Sequence, residues 1–263
     1  MAARRFKGVL LDLGGVVFTG DAALPGAVEA IARLRGAGLP LRFATNITRQ
    51  PRRGVIQQLA RMGIAASAEE VLTPAIAARA HLEKHGLAPH LLVHPALLED
   101  FAGLRTGALL DTPPNAIVVG DAGEGFTYDA LNTAFRLLAK GAAHLALARN
   151  RTFRDGDGEL SLDAGPFVAA LEYAAGGQAR IFGKPAPDFF LSAVESIGCA
   201  PGEAVMVGDD AESDVAGAVA AGLSGVLVRT GKYQPGAETA FRPPPTHVAA
   251  DLAAAADWIL AGG

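Results

Sequence analysis

The chain has one cysteine, Cys199, in 263 residues, so neither a disulfide framework nor a thiolate-held zinc cluster can be built from it. Charge is sparse, at 19% of residues, and both signs are interspersed to a net −4. No basic stripe or Lys-rich run occurs, which argues against nucleic acid as the main partner. No uninterrupted apolar segment approaches the ~20 residues that span a bilayer, so no membrane partner is expected. Arg4, Arg5 and Lys7 precede an apolar stretch in the manner of a signal peptide, but Asp12 interrupts it within a few residues. A reducing, cytoplasmic location is the natural reading. Internal repeats and long low-complexity tracts are also missing.

Half of the residues are apolar, ample for a sizeable core. Short apolar runs alternate with helical patterns throughout, which predicts a mainly parallel α/β architecture. Val9–Leu11 reads as a buried strand, followed by a helix near Gly26–Arg35 with Val28, Ile31 and Leu34 at helical spacing. Leu41–Ala44 reads as a second strand, and Val55, Ile56, Leu59 and Met62 mark the next helix. The middle of the chain reads as a smaller inserted α/β unit. Its strands are expected at Leu91–Val93, Ile117–Val119 and Leu145–Leu147, its helices at Ala130–Ala139 and Phe167–Ala174, and a polar excursion at Arg149–Gly158. Arg180–Phe182 resumes a strand. The domain boundaries this implies are 1–77 and 179–263 for two parts of one core and 78–178 for the insertion.

Four strand ends carry chemistry: Asp12, Thr45-Asn46, Lys184, and Asp209-Asp210 with Asp214 one turn further on. Singly, each is ordinary turn or cap chemistry. Jointly, each after an apolar run, they suit the crevice at the carboxyl ends of parallel strands, where open α/β sheets hold ligands. A carboxylate such as Asp12 can attack phosphorus, splitting one hydrolysis into two steps. Asp12, Asp209 and a backbone carbonyl of the Leu13–Gly14 turn form an all-oxygen set that suits Mg²⁺ better than zinc. Thr45 and the neighbouring amides, Asn46 included, could bind phosphoryl oxygens, and Lys184 could neutralise the charge that spreads over them. Asp210 is open to two roles: a water-mediated metal contact, or a cap on the following helix that also fixes Lys184.

On these residues the chain resembles the haloacid dehalogenase superfamily of Mg²⁺-dependent phosphohydrolases, over essentially its whole length. Asp12-Leu-Gly-Gly-Val-Val looks like the nucleophile loop, Ala44-Thr-Asn the second motif, Gly183-Lys-Pro the third, and Gly208-Asp-Asp-Ala-Glu-Ser-Asp the fourth. An insertion between the second and third motifs is the position of a type-2 cap. Asp121-Ala-Gly-Glu-Gly-Phe-Thr-Tyr, Gly183-Lys-Pro-Ala-Pro-Asp-Phe-Phe and Arg229-Thr-Gly-Lys-Tyr are similar to the subgroup of phospholysine phosphohistidine inorganic pyrophosphate phosphatases and haloacid dehalogenase-like hydrolase domain-containing proteins. The resemblance implies a Rossmann-like core under an inserted α/β cap, a Mg²⁺ cofactor, a small phosphorylated substrate or phosphohistidine, phospholysine or pyrophosphate, and a homodimer.

Gly14 departs from the pattern, because most phosphatases of the superfamily carry a second Asp there as general acid and base. The Gly14 carbonyl can still bind metal, but the proton donor is gone, which shifts the expected substrates toward P–N and P–O–P bonds. Two other readings stay open: a catalytically impaired relative that only binds phosphate compounds or a partner, and carbon–halogen hydrolysis, against which the acidic cluster argues.

Overall fold

The computed structural model describes residues 6–104, 113–154 and 159–263, with the backbone alone at Arg154. In chain order the first elements are β1 (Gly8–Leu11), β2 (Phe18–Thr19), β3 (Ala22–Ala23), α1 (Ala27–Gly36), β4 (Leu41–Ala44), α2 (Arg52–Arg61) and β5 (Val71–Leu72). Next come α3 (Pro74–His85), β6 (Pro89–Leu92), β7 (Ala116–Val119), α4 (Tyr128–Leu138), β8 (Ala143–Ala146), β9 (Thr152–Arg154), β10 (Leu160–Leu162), α5 (Ala164–Ala175) and β11 (Arg180–Ile181). The chain continues with α6 (Pro187–Glu195), β12 (Ala204–Gly208), a π-helical turn at Ala211–Ala216, α7 (Gly217–Ala220), β13 (Ser224–Val228), α8 (Ala237–Ala240), β14 (His247–Ala249) and α9 (Leu252–Ala261).

Two units divide these elements: Met1–Thr45, Arg53–Leu72 and Lys184–Gly263 form one, and Asn46–Arg52 with Thr73–Gly183 the other. The first is built on a six-stranded parallel sheet in the order β14-β13-β12-β1-β4-β5. Its central strands read as unbroken apolar runs because helices cover both faces: every residue of β1, β12 and β13 is buried. Strand order reverses between β1 and β12, so a crevice opens at their carboxyl ends. Helix α1 turns Ala27, Ala30, Ile31 and Leu34 inward at helical period. Across that side of the sheet α9 buries Leu252, Ala255, Ala256 and Ile259.

The second unit has its own four-stranded parallel sheet, β11-β8-β7-β6. The pleat sorts β7 into two cores. Ala116 and Val118 join Ala75, Ala78 and Leu82 of α3, together with Leu97 and Phe101. Ile117 and Val119 join Ala134 of α4 and Val168 and Leu171 of α5. The excursion at Arg149–Gly158, expected to be loop, contributes the first strand of an antiparallel hairpin, β9 with β10. Leu160 and Leu162 of that hairpin are both exposed, so no inward-facing apolar alternation marks it in the sequence. Among the described residues no helix is long and apolar enough to cross a membrane.

Candidate active site

The register Leu11↔Val207 carries β1 and β12 off the sheet side by side, and the Asp12 amide still donates to the Val207 carbonyl at 2.9 Å. Asp12 therefore sits level with Gly208, next to Asp209. The π-helical turn after β12 is wide: the Asp214 and Val215 amides both donate to the Asp210 carbonyl, at 3.1 and 3.2 Å. It folds Asp214 back over the strand end. Gly208 makes room, since a Cβ there would lie 2.2 Å from the Cβ of Asp214. One carboxylate oxygen from each of Asp12, Asp209 and Asp214 comes within 4.8 Å of the others, and all three residues are buried.

Lys184 is the buried counter-charge. Its side chain is 2% exposed, and its ammonium lies 2.5 Å from Asp12 Oδ1 and 2.7 Å from Asp214 Oδ1. Burial pushes the lysine down, but Asp12 and Asp214 outweigh it and raise its pKa, so the ammonium stays charged. Burial and then the Asp12 carboxylate push Asp209 up to about 6. Burial likewise raises Asp214, against the opposing pull of Lys184. Three carboxylates thus gather around Lys184, with Lys232 also pulling on Asp209. Lys184→Met would leave two of them buried and unpaired, and is expected to destabilise the fold by about 3–5 kcal/mol. A lowered urea midpoint with an unchanged slope is the readout.

The other sequence-marked residues separate. Thr45 is buried at the end of β4, its amide donating to the Leu72 carbonyl at 3.2 Å; the register Leu11↔Phe43 sets it one step beyond the level of Asp12. Asn46 begins the stretch that belongs with the second unit. Its Oδ1 packs on Gly183, where a Cβ would meet it at 2.6 Å. Asp210 is a cap. Its Oδ1 accepts from the Glu212 and Ser213 amides at 3.1 and 3.0 Å, and Lys232 Nζ lies 3.6 Å from its Oδ2. Lys184 pairs with Asp214, not with Asp210. Gly14 is exposed with open space around its would-be Cβ and no positive φ.

The Leu13–Phe18 turn uses its carbonyls unevenly. Leu13 C=O accepts from the Val16, Val17 and Phe18 amides, and Gly15 C=O accepts from Thr230 Oγ1 at 2.5 Å. The Gly14 carbonyl has no hydrogen bond among the described residues. Asp12 Oδ2 is likewise without one, since the lysine takes Oδ1. The donor set is therefore all oxygen, with a surplus of negative charge.

The sequence reading assigned no role to the loop after β13, yet the Lys232 amide donates to Asp209 Oδ2 at 2.7 Å. The signal was present as a further strand end, Val226–Val228 running into Arg229-Thr-Gly-Lys.

Residues 9–103 match the model of a haloacid dehalogenase-like hydrolase family, and residues 181–255 match a second, HAD-hydrolase-like model. Haloacid dehalogenase-like hydrolase domain-containing protein 2 of Homo sapiens is 44% identical over 259 residues, 98% of either chain. Phospholysine phosphohistidine inorganic pyrophosphate phosphatase of Xenopus laevis is 41% identical, covering 98% of this chain and 96% of its own. Among solved structures, glycerol phosphate phosphatase from Mycobacterium tuberculosis in complex with magnesium superposes with a TM-score of 0.83 at 30% identity, over 94% of this chain and 76% of that one. Related end to end, and built on the same α/β core, the chain belongs to the haloacid dehalogenase-like hydrolases.

Proposed function

We propose that the protein is a Mg²⁺-dependent phosphohydrolase that works through an aspartyl-phosphate on Asp12 and favours P–N and P–O–P bonds over alkyl esters. The observation that carries this reading is the buried group of Asp12, Lys184, Asp209 and Asp214 at the β1/β12 crevice. Relatives named as phosphatases agree with a phosphohydrolase. The residues fit a hard divalent cation. Asp214 is committed to Lys184 and to the Asp210 amide, which leaves Asp12, Asp209 and the Gly14 carbonyl as ligands. Mg²⁺, when bound, supplies charge neutralisation for the phosphoryl oxygens.

Lys184 fixes Asp12 through Oδ1 and leaves Oδ2 for attack on phosphorus. An Asp12 O–P bond forms as the bond from phosphorus to nitrogen or bridging oxygen breaks. The leaving group keeps the electron pair and takes its proton from solvent. Lys184, already beside the nucleophile, also meets the charge on the transferring group, and Thr45 binds its oxygens. Water then attacks phosphorus, the Asp12 O–P bond breaks, and inorganic phosphate leaves with Asp12 restored. Since Gly14 offers no base, this second step is slow and phospho-enzyme accumulates. A type-2 cap, inserted over 78–178 between core segments 1–77 and 179–263, belongs to this reading. A homodimer and a cytoplasmic location complete the reading.

The test is phosphate release with Mg²⁺ from pyrophosphate, imidodiphosphate, phosphohistidine, a sugar phosphate and p-nitrophenyl phosphate. The expected result is turnover of the activated substrates, abolished by EDTA and restored by added Mg²⁺. Release that survives EDTA would sink the metal assignment. Binding of phosphate compounds without any turnover would favour the reading that Gly14 supports, a relative that binds but does not cleave.

A further inference from the structure

The loop Thr230–Lys232 and the turn at Gly15 close on one atom, Oδ2 of Asp209. Both glycines have left-handed backbone, φ 79° at Gly15 and φ 57° at Gly231. A Cβ at Gly15 would stand 2.1 Å from Asp209 Oδ2, and one at Gly231 2.0 Å from the same oxygen. The two backbones also touch each other: a Cβ at Gly231 would meet Gly15 Cα at 2.6 Å. The Lys232 amide donates to that oxygen at 2.7 Å, and Thr230 Oγ1 ties the loop to the Gly15 carbonyl.

We infer that Gly15, Thr230, Gly231 and the Lys232 amide form a clamp that commits Asp209 Oδ2 and thereby presents Oδ1 to the cation. They are positioning residues, acting through Asp209. The inference rests on the proposed metal site and says how this chain holds one of its ligands. Its physical basis is general, because groups that orient a ligating carboxylate set metal affinity as well as the ligand itself does. The clamp works through the Lys232 backbone amide; the side chain leads away to Asp210, with Nζ 3.6 Å from Oδ2. It also explains why the loop carries glycine at 231, where any side chain would displace the ligand oxygen and also force an unfavourable φ.

Backbone strain and ligand displacement can be separated within the same molecule. Gly20 has φ 58°, nearly that of Gly231, with nothing within 4 Å of its would-be Cβ; Gly38, at φ 76°, is a similar match for Gly15. Mn²⁺ binding by electron paramagnetic resonance, with Mg²⁺ competition, is measured on the full chain for Gly231→Ala, Gly20→Ala, Gly15→Ala, Gly38→Ala and Thr230→Val. Gly231→Ala and Gly15→Ala are expected to weaken binding by about 10–100-fold. Gly20→Ala and Gly38→Ala should leave it unchanged.

Thr230→Val introduces no positive-φ strain and decides the matter if the glycine variants do not fold. Loss of its one hydrogen bond is expected to cost about fivefold in affinity. Equal affinity in Gly231→Ala and Gly20→Ala, or wild-type affinity in Thr230→Val, overturns the clamp. A wild-type protein that binds neither cation overturns the metal reading, and the clamp with it.

Discussion

Gly14→Asp is expected to raise kcat on sugar phosphates and other alkyl phosphate monoesters by about 10²–10⁴-fold, the range that a positioned acid–base group contributes. Pyrophosphate and phosphoramidate turnover should change little. The asymmetry follows from the leaving groups. An alkoxide needs a proton as its bond to phosphorus breaks, whereas phosphate leaves unaided and a phosphoramidate nitrogen is protonated by solvent. The backbone should accept the change, since φ at 14 is not positive and nothing lies within 4 Å of an added Cβ. Steady-state kinetics on glycerol phosphate and pyrophosphate, wild type against variant, give the ratio directly. Rapid-quench experiments add a second signature. The wild type should show a burst of phosphate-linked protein that the variant loses, because the new carboxylate can take a proton from the attacking water. An equal gain on both substrates would mean that protonation of the leaving group is not what the wild type lacks.

The gain depends on a site whose parts were unequally legible in the sequence. Strands β1 and β12 stand out because burial on both faces leaves unbroken apolar runs, and the acids at their ends mark the crevice. Lys184 could be placed there only jointly with the others, since one lysine before a proline is ordinary loop chemistry. The hairpin of β9 and β10 stayed hidden for a physical reason: Leu160 and Leu162 face solvent, so no periodic pattern turns toward a core. The two candidate roles of Asp210 also could not be separated from Gly-Asp-Asp alone. The cap is seen only once the width of the following turn is known, which sends Asp214 to the lysine and leaves Asp210 Oδ1 to hold the Glu212 and Ser213 amides. Gly231 was invisible as a functional residue because its role lies in a side chain it does not have. Only the approach of Asp209 Oδ2 to within 2.0 Å of its would-be Cβ reveals it.

Asp12→Asn should abolish turnover on every substrate, by about 10⁴-fold or more, the scale on which removal of a covalent nucleophile is felt. The same substitution is expected to leave the fold at least as stable in EDTA. Asp12 is one of three buried carboxylates gathered around Lys184, and its charge helps to raise both Asp209 and Asp214. An amide of the same shape removes that repulsion, while Lys184 keeps its partner Asp214 at 2.7 Å. On the proposed mechanism the nucleophile would then be held where it works at a cost to the folded state, as expected of a site arranged for its chemistry. The two effects separate Asp12 from Lys184, whose replacement should lose activity and stability together. Adding Mg²⁺ should reverse the order of melting temperatures. The cation raises the wild type through its carboxylates, and Asp12→Asn gains less because one ligand is now neutral. Melting curves with EDTA and with Mg²⁺, run on both proteins, test this crossing. A variant that melts well below the wild type in EDTA would show that Asp12 is a structural partner of Lys184 more than a strained nucleophile.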